Sequence, residues 1–285
     1  MDDVASTQGL GGAASDATLP YLAFFDERDG EADFDRHTLA RREELFTALA
    51  RDPVRSRVRL DRAVYLRNLA RRRPERGLDP RMLWVLATAK ANQAERFGVG
   101  LAELYGQTHA ESDAASVHVT LQEFYHTRIL ADVVAVFGLP VRAQAPPLPA
   151  RLVISAILGV PEAWRLPLAG SSEMVGCLLF RALRDRGLEL FADEPAVTAR
   201  IRLLYDQILA DEISHVGLIT ARLGRTGRAA MRGLYRLMGH RLATAMPEMV
   251  RLFGRAELVR RFRAPFRLDE LTAEYPQLAF ATATP

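Results

Sequence analysis

The chain has 285 residues, 49% of them hydrophobic, which is enough to bury a sizeable core, and its formal net charge is only +3. No run of about 18 consecutive uncharged apolar residues occurs, which argues against a membrane-spanning helix. The single cysteine, Cys177, excludes an internal disulfide framework and a cysteine-ligated zinc or iron–sulfur site. We therefore expect a soluble, cytoplasmic protein without a membrane partner.

Arginine provides almost all of the positive charge, because Lys90 is the only lysine. The arginine runs at residues 71–73 and 260–261 are not accompanied by a nucleic-acid-binding motif or by interleaved aromatic residues. We interpret both runs as solvated helix faces and expect no nucleic-acid partner.

The N-terminal region is predicted in two parts. Residues 1–20 are rich in Asp, Ser, Gly and Ala and lack the basic and apolar regions of a secretory signal, so we predict a disordered tail. A single helical domain is expected over residues 21–285. Its charged segment from Asp35 to Leu69 has a helical pattern that predicts a pair of packing helices, ended by the Pro and Gly residues of 74–80.

Four core helices are predicted over residues 81–224 from apolar residues that recur at helical spacing. The predicted spans are Arg81–Tyr105, Ser112 or Asp113 to about Phe137, Leu168–Arg186 and Ala196–Leu223. The segment Gly138–Pro149 contains four prolines and can extend about 40 Å, the length of a helix of about 26 residues. It therefore fits a long crossover between two helical hairpins.

The C-terminal part, residues 225–285, is predicted as a covering helix followed by a tail. The amphipathic, basic stretch from Met231 to Phe262 supplies the helix, and a proline-containing segment follows it. The whole pattern predicts an all-α protein.

Two motifs of the form Glu-x-x-His stand out, Glu123-Phe-Tyr-His126 and Glu212-Ile-Ser-His215. Residues three apart on a helix share one face, so each motif presents a carboxylate and an imidazole together. Both motifs interrupt apolar stripes, where an uncompensated carboxylate costs several kcal/mol, about the penalty of a buried unpaired charge. This placement predicts metal ligands.

The other two core helices each offer one glutamate, Glu95 and Glu173. Counted from the turns, Glu95 is level with Glu123, and Glu173 falls near Glu212; Glu103 and Glu111 remain alternatives to Glu95. Four carboxylates balance two divalent cations and suit iron or manganese. We expect two Fe ions, with Mn/Fe as the alternative, on this ligand set: Glu95, Glu123, His126, Glu173, Glu212 and His215.

Over residues 81–224 this arrangement resembles the ferritin-like di-iron carboxylate superfamily, through Glu95, Glu173 and the two motifs, the second in the fuller form Asp211-Glu212-Ile-Ser-His215. The resemblance implies a ferritin-like four-helix bundle with additional N- and C-terminal helices. It also implies that Asp211 and Gln122 hydrogen-bond the histidine of the opposite motif. The chain is distantly similar to arylamine N-oxygenases, which use a further histidine ligand where this sequence has Ile208.

The resemblance implies a non-haem di-iron oxygenase that uses O2 to hydroxylate, N-oxygenate or desaturate a small or carrier-bound organic substrate, as in specialised metabolism. It also implies an external electron donor and is compatible with a homodimer. Two other hypotheses remain open: an iron-binding or iron-oxidising protein without an organic substrate, and a metal-free helical interaction module.

Four further residues are expected to have ordinary structural roles. Cys177 follows Glu173 by one turn and is interpreted as a small buried hydrophobe. Tyr125 and Tyr205 are interpreted as packing residues, and His118 as a solvated or capping residue.

Overall fold

The computed structural model describes residues 14–29, 39–108, 114–142, 160–276 and 279–280. These residues form eleven α-helices and no strand, which confirms the all-α prediction for this part of the chain. The helices are α1 Ala14–Asp29, α2 Leu39–Arg51, α3 Arg62–Leu69, α4 Pro80–Thr108, α5 Ala114–Ala135, α6 Glu162–Leu190, α7 Pro195–Arg222, α8 Arg225–Ala245, α9 Pro247–Phe253, α10 Arg255–Arg263 and α11 Leu268–Glu274.

The four longest core helices contact each other in a ring. Helix α4 packs mainly on α5, and α6 mainly on α7, while α5 contacts α7 and α4 contacts α6. One continuous apolar core runs through these helices, with Trp84, Phe180 and Tyr205 among its fully buried side chains. The predicted crossover falls largely on residues 143–149, outside the described residues, and stays a prediction.

Helix α1 begins at Ala14, so the prediction of a disordered tail is wrong for residues 14–20, while residues 1–13 lie outside the described part. The helix is held by Tyr21 and Phe25, which lie one turn apart and are 0% and 4% exposed. They pack in a small apolar cluster against α5 and α7. The pair of helices predicted from Asp35 to Leu69 is present as α2 and α3, and Asp61 caps α3 by accepting from the backbone N–H groups of its first turn.

Helix α6 is longer than predicted at both ends. It runs through Pro167, the sixth residue of the helix, whose missing N–H costs one intrahelical hydrogen bond. It also continues through Gly187, where the prediction placed a turn. The indole of Trp84 packs against that glycine, and a Cβ there would lie 2.9 Å from Trp84 Cε2. Close packing, rather than a chain reversal, therefore explains this glycine.

The C-terminal region consists of several short helices rather than the single predicted covering helix. The chain breaks at Met246 and at Gly254, whose φ of 81° favours glycine. Helix α8 packs on α6, α9 packs on α4, and α11 packs on α7. These helices thus cover three of the four core helices.

One described helix, Trp164–Leu190, is long and apolar enough to cross a membrane by length and composition alone. Of its most apolar window, 56% is buried inside the fold, as expected for the core helix of a globular protein.

Candidate metal centre

The residues of the two motifs and the two single glutamates converge from four helices, α4, α5, α6 and α7. Their potential ligand atoms form two overlapping groups, and within each group all these atoms lie within 4.8 Å of one another. We call the group Glu95, Glu123, His126 and Glu212 position 1, and the group Glu123, Glu173 and His215 position 2. Each group could hold a metal ion.

Glu123 belongs to both positions, and its two oxygens divide between the two imidazoles. Glu123 Oε2 lies 3.5 Å from His126 Nδ1, and Glu123 Oε1 lies 3.1 Å from His215 Nδ1. The two imidazole rings are 6.1 Å apart between centroids. This carboxylate would therefore be available to a cation in either group.

The remaining glutamates complete the two groups. His126 Nδ1 lies 3.6 Å from Glu212 Oε1 and 3.8 Å from Glu95 Oε2. His215 Nδ1 lies 3.2 Å from Glu173 Oε2. Every predicted ligand thus directs an oxygen or a nitrogen toward the shared space.

The outer nitrogens of the two imidazoles bond in a crossed pattern. His126 Nε2 is 3.1 Å from Asp211 Oδ2, and His215 Nε2 is 3.0 Å from Gln122 Oε1. Each partner precedes the glutamate of the opposite motif, as the resemblance implies. Gln122 Nε2 donates to Asp211 Oδ1 over 2.8 Å, so one hydrogen-bonded unit orients both rings with Nε2–H outward and Nδ1 inward.

Arg42 on α2 anchors this unit and was not predicted from the sequence. Its side chain is 0% exposed, and Nη2 donates to both oxygens of Asp211, over 2.8 and 2.7 Å. Burial alone would raise the pKa of Asp211, but Arg42 and the two imidazoles lower it to about 2, so the carboxylate is ionised. The sequence did contain a sign that this arginine is buried. Arg42 shares a helix face with the apolar residues Leu45 and Phe46, whereas a solvated arginine usually lies on the polar face.

Tyr21 on α1 was also missed. Its hydroxyl donates to Gln122 Oε1 over 2.9 Å and lies 3.1 Å from Nδ1 of His118. His118 is half-buried against Phe25, so the interpretation of this histidine as solvated or capping is wrong. Its role is to contact α1.

The side chain of Ser214 links the second motif to the C-terminal segment. Ser214, which lies between Glu212 and His215, donates to the carbonyl of Ala210 and accepts from the N–H of Phe280 over 2.8 Å. The Phe280 ring packs edge-on against Tyr21, with centroids 5.3 Å apart.

Three buried polar atoms of the site have no hydrogen-bond partner among the described residues: Glu123 Oε1, His126 Nδ1 and Glu212 Oε2. Buried polar atoms are nearly always paired, so unpaired ones need an explanation. These three belong to the two groups, and imidazole nitrogens that face carboxylates need a proton or a cation between them. The donor set therefore fits metal ions.

Without a metal, the site holds protons. Burial, followed by the charge of Glu123, raises the pKa of Glu95 to about 8. Burial would lower the pKa of His215, but Glu123 and Glu173 raise it to about 9. The pKa of His126 is likewise raised well above its ordinary value by Glu123, against the effect of burial. Bound cations would displace these protons.

Gly176 on α6 gives Glu212 its space. A Cβ at Gly176 would lie 2.9 Å from Glu212 Cδ, so only glycine fits without movement. Cys177, the next residue, is fully buried, and burial raises the pKa of its thiol. This agrees with the interpretation of Cys177 as a small hydrophobe.

The members of the two groups differ in how far they are exposed. The side chains of Glu95, Glu123 and Glu173 are 17%, 16% and 18% exposed, whereas those of His126, His215 and Glu212 are 0%, 0% and 3% exposed. The glutamates of α4, α5 and α6 are thus partly exposed, whereas the proposed ligands on α7 are buried.

The other residues considered in the sequence do not belong to the two groups. The Tyr125 hydroxyl donates to Glu43, and the Tyr205 hydroxyl lies 2.9 Å from that of Thr88 in the core, as expected for packing residues. Ile208 is fully buried and offers no ligand atom. The side chains of the alternatives Glu103 and Glu111 lie outside the described part.

Comparison with protein-family models, curated proteins and solved structures finds no match to this chain. Any function must therefore be argued from the site itself.

Proposed function

We propose that the protein is a ferritin-like di-iron oxygenase that uses O2 to hydroxylate, N-oxygenate or desaturate an organic substrate. The observation that carries the proposal is the pair of overlapping groups that share Glu123, each with an inward-facing imidazole Nδ1. The order of donors along the chain also supports it. In the di-iron bundle arrangement two helices each supply one glutamate and two each supply a Glu-x-x-His motif, as α4, α6, α5 and α7 do here.

Position 1 and position 2 would each hold one iron ion, with Glu123 available to both. Carboxylate oxygens and a few imidazoles suit iron or manganese, so Mn/Fe is the alternative content. When bound, the ions supply open coordination positions and the one-electron chemistry that O2 activation needs.

The protein's own residues orient the proposed ligands and shield the site from water. Asp211 and Gln122 fix the two imidazoles, and Arg42 keeps Asp211 ionised and in place. Helix α7 closes one side of the site with a run of buried residues from Gln207 to Ile219, which excludes bulk water. The exposed edges of Glu95 and Glu173 mark the side from which O2 and substrate approach.

The substrate is proposed to be a small molecule or a carrier-bound group, with electrons supplied by an external donor. The protein is proposed to act in the cytoplasm, as a monomer or a homodimer, without nucleic-acid or membrane partners.

Two measurements test this function. Metal analysis of the full-length protein should find about two iron or manganese ions per chain, and Glu123→Gln, which alters the shared ligand, should reduce both. Glu43→Gln is the matched control, because Glu43 is an exposed glutamate paired with Arg128, and its metal content should equal that of the wild type.

Reaction of the reduced protein with O2 then separates the oxygenase from the two other hypotheses. The anaerobically reduced, iron-loaded protein should transfer oxygen to, or desaturate, a compound in a panel of amines and acyl groups. Uptake of many iron ions per chain without product would favour an iron-oxidising protein. A folded wild-type protein that binds no metal would leave only the metal-free interaction module.

A further inference from the structure

We propose that the two metal positions are unequal: position 1 binds a divalent cation first and tightly, and position 2 is the weaker, exchangeable position. This inference rests on the metal centre of the proposed function. It goes further by assigning an order of loading to particular residues of this chain.

The donor sets differ in number and in charge. Position 1 combines three carboxylates with His126, whereas position 2 combines two carboxylates with His215. Each additional carboxylate adds a hard oxygen donor and a negative charge near the cation, in a setting where few water molecules can screen it. Position 1 therefore attracts a divalent cation more strongly.

The outer partners of the two imidazoles also differ. His126 Nε2 lies 3.1 Å from the carboxylate of Asp211, which Arg42 holds in place. His215 donates to the neutral amide oxygen of Gln122, which also accepts from Tyr21. A carboxylate behind the ring makes the imidazole a more basic ligand than an amide does. This difference, like the number of ligands, favours tighter binding at position 1.

Burial adds a third difference. Of the carboxylates unique to position 1, Glu212 is 3% exposed and Glu95 is 17% exposed, whereas the one unique to position 2, Glu173, is 18% exposed. With fewer protein donors, and no carboxylate of its own as buried as Glu212, position 2 leaves more of a cation's coordination to water or to small molecules. Position 2 is thus also the one at which exogenous ligands exchange.

The test is a titration of the metal-free, full-length protein with Mn²⁺, in which the EPR signal of free Mn²⁺ reports binding. The wild type should show two classes of site that differ in affinity by about tenfold or more, the size of effect that outer partners alone produce. Two isosteric variants then separate the positions. Glu173→Gln should remove the weak class and keep the tight one, and Glu95→Gln should weaken the tight class.

A second test measures the rate of metal removal from the wild type alone. Removal of Mn²⁺ by excess chelator should be biphasic, with one ion per chain leaving faster than the other. A single class of sites together with single-phase removal overturns the inference and leaves the proposed function standing. Loss of the tight class in Glu173→Gln, with the protein still folded by circular dichroism, also overturns it. Failure of the wild type to bind Mn²⁺ or iron would overturn both.

Discussion

Asp211 Oδ2 lies 3.1 Å from Nε2 of His126, so the residue that precedes the glutamate of one motif orients the histidine of the other motif. Gln122 and His215 form the reciprocal pair over 3.0 Å. The two motifs, far apart in sequence, are therefore joined through hydrogen bonds as well as through the shared Glu123.

The substitution Asp211→Asn tests this link. It leaves the Arg42 charge buried without its carboxylate, which should lower the free energy of unfolding by about 3–5 kcal/mol. Metal affinity at position 1 should fall about 10–100-fold, because His126 loses its carboxylate partner. Urea unfolding of the metal-free protein and Mn²⁺ titration measure the two effects.

Asp269→Asn is the matched control. Asp269 pairs with Arg267 on the surface, where the two side chains are 66% and 55% exposed. Such pairs contribute about 0–1 kcal/mol, and metal binding should not change. Equal effects of the two substitutions would contradict the role assigned to Asp211.

Metal binding should release protons. In the metal-free protein the pKa of Glu95 is about 8 and that of His215 about 9, so both groups are protonated at neutral pH. A cation binds only after these protons leave, so apparent affinity should rise as the pH increases between about 7 and about 9. An indicator dye in weakly buffered solution measures the protons released on Mn²⁺ addition; an affinity that is constant across this range would disprove the expectation.

Gly176→Ala should disturb the centre sterically. The new Cβ would lie 2.9 Å from Glu212 Cδ, so the carboxylate must move. We expect a loss of about 1–3 kcal/mol in stability, as for other overpacked sites, together with weaker metal binding. Thermal unfolding and metal titration report these changes.

Gly98→Ala provides the control for this glycine. Gly98 follows Glu95 by three residues, as Gly176 follows Glu173, but its Cβ would meet nothing within 4 Å among the described residues. This substitution should leave metal binding intact and raise stability by about 0.5–1 kcal/mol, the usual gain over glycine within a helix. A metal-binding defect in Gly98→Ala equal to that of Gly176→Ala would exclude the steric explanation.

Tyr21→Phe removes the hydroxyl that contacts Gln122 and His118. We expect a loss of about 1 kcal/mol in stability and a weaker position 2, since Gln122 orients His215. Tyr205→Phe removes a buried hydroxyl bonded to Thr88, so it should lower stability by a similar amount without changing metal affinity. Identical metal titrations for both variants would show that Tyr21 acts only in packing.

Glu194 makes a pH-dependent contribution to stability outside the candidate metal centre. Burial would raise its pKa, but the backbone N–H of Arg57 and the hydroxyl of Ser56 donate to the carboxylate and lower it. A lowered pKa in the folded state means that the stabilisation is complete above the unfolded pKa of about 4.3. It is lost as the pH falls through the lower, folded value.

Glu194→Gln should therefore cost about 1–2 kcal/mol at neutral pH. The difference from the wild type should shrink as the pH falls below about 4. Urea unfolding at several pH values measures it, and a difference that does not depend on pH would contradict the ionic contribution.

Helical spacing in the sequence was sufficient to predict the residues that converge at the centre. Glu123 and His126 share a face because they are one turn apart, and counting from the turn placed Glu95 level with them. Arg42 and Tyr21 could not be predicted in this way, because their contacts depend on how α1 and α2 pack against the core. The predicted C-terminal end of α6 was wrong because of Gly187. The sequence does not distinguish a glycine that makes room for the Trp84 indole from a glycine that a turn requires.

The hydrogen bond from the N–H of Phe280 to Ser214 has a consequence for how the protein matures during translation. A nascent chain that has reached Arg222 already contains all six proposed ligands. It lacks Phe280, whose N–H donates to the hydroxyl of Ser214, between Glu212 and His215, and whose ring packs against Tyr21. Because such long-range contacts form late in folding, cations captured on the ribosome would meet a looser site than that of the released chain.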